Sequence, residues 1–205
     1  PATIALRAFQ TFAFFGIDAF VPHLLRDQRG TSLFLVGAAV TACTLAWTAA
    51  SWVQERTIAR VGPRLLVRAG LLCIAGGGLV LMLSTSTTVP IAVAVAAYFV
   101  TGFGMGLGYS PVSVVMLGYA EPGREGEASA ALSVTDVLGI AVGAGIGGAA
   151  IALADTAGWS IQIGIVLAYT LPIAGGFGGA ILAGRLPSHM AESQANAQGT
   201  RGVAT

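Results

Sequence analysis

Charge is what this chain has least of. Only 9% of its 205 residues are charged, against about 25% in an ordinary globular domain, while 55% are hydrophobic. From Ala69 to Ala120 there is no Asp, Glu, Lys, Arg or His at all. A water-soluble fold has no reason to exclude charge over that length, whereas a hydrocarbon layer of about 30 Å asks for about 20 apolar residues per crossing. Lysine is missing throughout, so all ten basic residues are arginine, and with a net charge of +1 nothing points to nucleic acid. The two cysteines, Cys43 and Cys73, have no histidine near them and make no metal-ligand spacing; they read as small apolar fillers. A nucleotide-binding Gly-x-x-x-x-Gly-Lys loop and a nucleophile set beside a base are also missing. Neither an ATP-driven pump nor an intramembrane enzyme finds support, and no cofactor is expected.

Apolar residues occur in continuous runs, not in alternation with polar ones, which argues against a transmembrane β-barrel. The expected fold is an all-α membrane protein, a six-transmembrane-helix bundle, with spans at about 3–25, 32–53, 65–85, 90–118, 128–153 and 160–184. A bundle of buried helices in water would show polar faces that these segments lack. The bundle occupies 1–186, and 187–205, rich in Ala, Gln, Ser and Gly without apolar period, reads as a disordered cytoplasmic tail. Pro1 to Ile17 has no basic start followed by a cleavage site, so no signal peptide is expected. The chain begins almost inside its first span, as a fragment would.

Arginine placement gives an orientation. Arg56, Arg60, Arg64 and Arg68 cluster at the loop between spans two and three, Arg124 lies in the loop before span five, and Arg185 and Arg201 follow the last span. The opposite side has only Arg26 and Arg29, beside Asp27. The positive-inside bias then puts both termini in the cytoplasm of an integral plasma-membrane protein.

Helices in lipid gain little from the hydrophobic effect, so small residues must let backbones approach. Glycine supplies these: Gly102, Gly104, Gly106 and Gly108 in span four, Gly139, Gly143 and Gly147 in span five, Gly175 and Gly179 in span six. Polar residues inside spans are few. Arg7, Gln10, Thr11, Phe14 and Asp18 fall within about 100° of one another on a helix and form one stripe that should face protein or water. Asp18, in the outer half, is either a functional carboxylate or a membrane-edge residue paired with Arg26 or Arg29. Asp136 lies nearer the midplane, on the face of Gly139 and Gly143. It is either a proton-accepting or substrate-facing carboxylate or a buried hydrogen-bonding group served by Thr135, Ser133 or a neighbouring helix.

The stretch Arg60-Val61-Gly62-Pro63-Arg64 resembles the cytoplasmic Gly-x-x-x-Asp-Arg-x-Gly-x-Arg loop of the major facilitator superfamily. In that family the loop joins the second and third helices of each six-helix half, as here. Gly108-Tyr109-Ser110-Pro111 and Gly126-Glu127-Ala128-Ser129 resemble the tenth and eleventh helices of its drug-efflux branch. The family's leading Gly is replaced by Glu55 and its Asp by Ala59, which makes Glu55 the candidate carboxylate of the loop. The resemblance implies the C-terminal half of a twelve-helix secondary transporter working by alternating access, with a missing N-terminal six-helix half as its partner. It implies proton-coupled efflux of a small molecule, drug or metabolite, by antiport. On that reading Gln10, Thr11, Phe14, Asp18, Tyr109, Ser110 and Asp136 are candidates for the substrate and proton pathway. Glu55, Arg60, Gly62 and Arg64 form a cytoplasmic gate, whose arginines could meet Glu55, Glu121, Glu125 or Glu127. The alternative is a complete six-helix channel or half-size carrier acting as a homodimer.

Overall fold

The computed structural model describes residues 2–186, and its described elements are all helical. The expected disordered tail, 187–205, lies outside the described residues. Helix α1 runs Ala2–Asp18, followed by a short α2, Val21–His23, and one π-helical turn, Leu24–Gln28. Continuity fails after Asp18. Pro22 has no N–H to bond the Asp18 carbonyl four residues back, and Phe20 sits at φ −110°, ψ 1°. The expected first span is therefore a broken helix whose apolar run extends over Thr3–Gln28.

Helix α3, Leu33–Leu83, is opened by Ser32, whose side chain accepts from the Leu35 N–H at 3.2 Å. Its 51 residues would reach roughly 76 Å if straight, more than twice the hydrocarbon thickness. It does not stay straight. Gly62 has φ 78° and ψ 159°, a left-handed φ that favours glycine, and Pro63 next to it disfavours helical ψ. The bend divides α3 into two arms, 33–61 and 63–83. Residues 54–61, expected as loop, are helical up to that bend. Hydropathy marks where a chain leaves lipid, and a helix can continue into the headgroup layer beyond that point. Helices α4 (Ile91–Gly118), α5 (Glu125–Thr156) and α6 (Ile161–Leu182) complete the set. Among the described residues, five helical segments, the broken Thr3–Gln28 included, are thus long and apolar enough to cross a membrane. The bent α3 supplies two of the six expected crossings.

Glycine sets which helices touch. A methyl group at Gly102 would collide with the Cys43 carbonyl, and one at Gly106 with the Trp47 carbonyl, so the first arm of α3 runs parallel to α4. On the second arm, a methyl at Gly70 would lie 2.5 Å from the Gly104 carbonyl and one at Gly77 2.7 Å from that of Ala97, an antiparallel pairing. One helix, α4, therefore touches both arms and lies between them, Gly102 and Gly106 facing the first arm and Gly104 and Gly108 the second. Gly139, Gly143 and Gly147 of α5 admit Thr11, Phe12 and Phe20 of the α1 segment in parallel, and Gly175 and Gly179 of α6 admit Phe12 and Phe9 antiparallel. Both cysteines are free, and Cys43 is buried against Gly102.

Arg29 ties one end of the bundle. Its guanidinium donates to the carbonyls of Ser84 (2.6 Å), Ser86 (2.9 Å) and Val89 (2.7 Å), and Gln28 donates to Thr85 O at 3.1 Å. These are carbonyls at and just beyond the C-terminus of α3, where a cation is favourable.

Gly106→Ala should lower the thermal stability of the detergent-solubilised chain by about 1 to 3 kcal/mol, because the methyl has nowhere to go. Gly145→Ala, where a Cβ meets nothing within 4 Å, should leave the melting midpoint unchanged or higher. Equal losses in a thermal melt followed by circular dichroism would contradict this packing.

Candidate functional site

The polar stripe of α1 faces protein. Arg7 is 3% exposed, and Gln10, Thr11 and Phe14 are buried. Arg7 donates through Nε to Asp136 Oδ1 at 2.6 Å and through Nη2 to Asp136 Oδ2 at 2.9 Å, a two-pronged ion pair between α1 and α5. The side chain of Asp136 keeps 18% exposure. Arg7 Nη1 donates to the Tyr109 carbonyl at 2.8 Å and to Ser113 Oγ at 3.4 Å on α4. The Tyr109 hydroxyl donates to Asp136 Oδ2 at 2.9 Å, and its ring lies under the guanidinium, 3.3 Å from centroid to Cζ. Three helices thus meet at one guanidinium, one carboxylate and one phenol. Such a fork-to-fork pair is the strongest geometry open to arginine, and it leaves the carboxylate neutralised where lipid or a dry cavity would not tolerate a free charge.

Local structure explains how these side chains meet. Thr11 Oγ1 bonds back to the Arg7 carbonyl at 2.9 Å, and its side chain sits where Gly139 has no Cβ, so α1 and α5 approach closely one turn from the ion pair. Gln10 Nε2 reaches the Met105 carbonyl at 3.4 Å, and Gly108 leaves room for it. An aromatic set continues from this knot: Tyr109 meets Trp47 edge-on at 5.6 Å, and Trp47 meets Phe14 at 5.4 Å and Phe15 at 6.5 Å. Trp47, Phe15 and Tyr109 are half-buried, so the set presents a surface as well as a core.

Asp136 is not served by Thr135 or Ser133, whose hydroxyls bond the carbonyls of Ala131 and Ser129 on their own helix. Ser110 is half-buried and makes no side-chain hydrogen bond among the described residues; Ser113, a turn further on, faces Arg7. Asp18 does not pair with Arg26 or Arg29. Arg26 donates to the Thr31 carbonyl, Arg29 holds the 84–89 turn, and Asp18 instead accepts a hydrogen bond from the Tyr98 hydroxyl of α4. Sequence reading placed Arg7 in the stripe but missed it as the partner of Asp136, and it missed Trp47, Tyr98 and Ser113. The available signal was charge balance, since an arginine in an apolar span requires an acidic partner on another helix.

At the opposite end, Arg64 donates to the Gly184 carbonyl after α6, while Arg60 and Glu55 are exposed and without partners among the described residues. Apart from Glu55, the acids expected to meet the gate arginines are otherwise engaged. Glu121 and Glu127 hold Arg124 at 3.1 and 2.6 Å, raising its guanidinium above its ordinary pKa, and Glu125 accepts from the Gly123 N–H. Each sits on the same short turn as its partner, so local geometry wins over a longer reach. A separate groove of about 320 Å³ between α1 and α5 is lined by Ala5, Phe9, Phe12, Leu138 and Val142 and contains none of the candidate residues.

An all-helical membrane bundle knotted by an intramembrane ion pair is the class that fold and site define. The chain belongs to the Major Facilitator Superfamily, whose family model matches residues 2–144. Among solved structures it is similar to that of the proton:xylose symporter XylE bound to 6-bromo-6-deoxy-D-glucose. The identity is 15% and the TM-score 0.72 over 96% of this chain and 48% of that one, a likeness of fold in which this chain spans about half the length of its relative. No curated protein matches it.

Arg7→Gln alone should destabilise the chain by about 3 to 5 kcal/mol, because it strands a half-buried carboxylate. Asp136→Asn should cost a similar amount by stranding Arg7. The double variant should recover much of the loss in a detergent melt; strictly additive losses would show that the pair is not coupled.

Proposed function

We propose that this chain is one six-helix half, the C-terminal one, of a secondary active transporter that moves a small molecule by alternating access. The observation that carries the reading is the uneven covering of the bundle. In α5 the buried share of the most apolar stretch is 22%, against 50 to 56% in the other four spanning helices. That under-covered helix also carries Asp136, whose carboxylate keeps its partial exposure beside the half-buried Tyr109. A second six-helix half laid against this side would enclose the site as a cavity at the interface of two repeats, where substrates of such carriers bind. Coverage of 48% of the similar symporter's length supports the same arithmetic.

The finer reading is proton-coupled efflux, by antiport, of a drug-like or metabolite substrate across the cell membrane. It draws on the resemblance of Gly108-Tyr109-Ser110-Pro111 to the drug-efflux branch, and on the aromatic set beside a charged pair, which suits a flat, amphipathic molecule. Gln10, Thr11 and Phe14 support the wall from behind, being buried. Both termini are cytoplasmic, together with the arginine-rich bend at Gly62. There Arg64 fastens the bend to the end of α6, and Arg60 remains free to meet the other half as a gate.

In liposomes with an imposed pH gradient, the 205-residue chain alone should give no dye or drug flux above empty vesicles. Robust flux would favour a self-sufficient homodimeric carrier and overturn the half-transporter reading.

A further inference from the structure

A guanidinium and a carboxylate meet at the site, and they do not offer a substrate the same thing. The donors of Arg7 are almost all in use. Of its five N–H groups, that on Nε goes to Asp136 Oδ1, one on Nη2 to Asp136 Oδ2, and those on Nη1 to the Tyr109 carbonyl and Ser113 Oγ. The Tyr109 ring covers one face, 3.3 Å from centroid to Cζ, and the Arg7 side chain is only 4% exposed. An anion coming to the site would have to break these contacts before the arginine could receive it.

Asp136 is open by comparison. A carboxylate accepts about four hydrogen bonds, and Asp136 takes those of Nε on Oδ1 and of Nη2 and the Tyr109 hydroxyl on Oδ2. The arginine fork uses the facing lone pair of each oxygen, so the unused one on Oδ1 points away from the guanidinium. At 18% exposure the Asp136 side chain is also the accessible member of the pair. The pair is neutral as a whole, yet the end it presents is negative and accepts hydrogen bonds. Beside it, the Tyr109 ring meets Trp47 edge-on at 5.6 Å and Trp47 meets Phe15 at 6.5 Å, and Trp47 and Phe15 are half-buried. Aromatic faces are electron-rich and attract cations. A neutral polyol finds less, because Gln10 and Thr11 are buried and bonded to the carbonyls of Met105 and Arg7.

We propose that the site takes a protonated aromatic amine, whose ammonium group donates to Asp136 Oδ1 and whose ring lies on Trp47 and Phe15. Coulomb energy falls with distance, so the oxygen at hydrogen-bond distance outweighs the guanidinium on the far side of the carboxylate. An aromatic carboxylate would meet the same oxygen as a like charge. The assignment deepens the transporter reading and rests on it for transport only, since binding is measurable in the chain as it stands.

The test is equilibrium dialysis of the 205-residue chain in lipid nanodiscs at neutral pH, with empty nanodiscs subtracted. Its probes share one ring system: naphthylethylammonium, naphthylacetate and naphthylethanol. The ammonium probe should bind saturably, with a Kd about tenfold or more below those of the other two. Arg7→Gln combined with Asp136→Asn, which strands neither charge, should abolish that preference. Trp47→Leu should weaken amine binding severalfold, whereas Trp52→Leu, at an exposed ring stacked under Arg56, should not. Tighter binding of the carboxylate would make Arg7 the open group and overturn the proposal. Equal binding of the alcohol, or no saturable binding of the amine, overturns it too. If the double variant does not fold, equal effects of Trp47→Leu and Trp52→Leu overturn it equally. None of these failures touches the half-transporter reading, which is judged by flux; flux from the chain alone would overturn that reading and leave the amine assignment standing.

Discussion

One ion pair constrains the rest of this bundle. Arginine cannot lose its charge and cannot be left in hydrocarbon, so the presence of Arg7 in the first span obliges a carboxylate to come to it from elsewhere. Asp136 does so from 129 residues away. Its arrival fixes α5 against α1, and the remaining guanidinium donors draw in the backbone and ring of Tyr109 from α4. On the transporter reading proposed above, stability and function are tied together at this point, since the group that docks the helices would also face the substrate.

Glycine makes the docking possible. Ion pairs are short, and helices that carried full side chains at Gly139 or Gly108 would hold Thr11 and Gln10, and with them Arg7, too far away. At the far end a different device operates: Arg29 gathers three backbone carbonyls of the 84–89 turn and needs no acidic partner. Between these two fixed points lies the break after Asp18. A bundle pinned at one end by an ion pair and at the other by carbonyl contacts, with a broken helix joining them, has a defined place to bend.

The sequence disclosed the spans because absence of charge is a direct record of lipid exposure. It did not disclose helix ends: 54–61 left the apolar run and stayed helical, while Pro22 broke a helix inside one. The stripe of Arg7, Gln10, Thr11 and Phe14 was legible from period alone, and the burial of these four side chains matches its expectation. Its partners were not, because the pairing of Arg7 with Asp136 depends on which helices become neighbours, and no local pattern encodes that. Arg29 invited the wrong partner, Asp18, for a related reason. Residue type announces a charge to be satisfied, whereas only the fold shows that backbone carbonyls can satisfy it. Gly62 was found through the family's loop pattern, and its left-handed φ supplies the physical reason for glycine there.

The organisation of the bundle depends on the Arg7–Asp136 pair holding three helices at once. Hydrogen exchange measured by mass spectrometry on the Asp136→Asn chain in nanodiscs tests this directly. Amide protection should fall together in α1, in α4 around Tyr109 and in α5, while the 84–89 turn held by Arg29 keeps its protection. A loss confined to the few residues around position 136, or no loss, would contradict it.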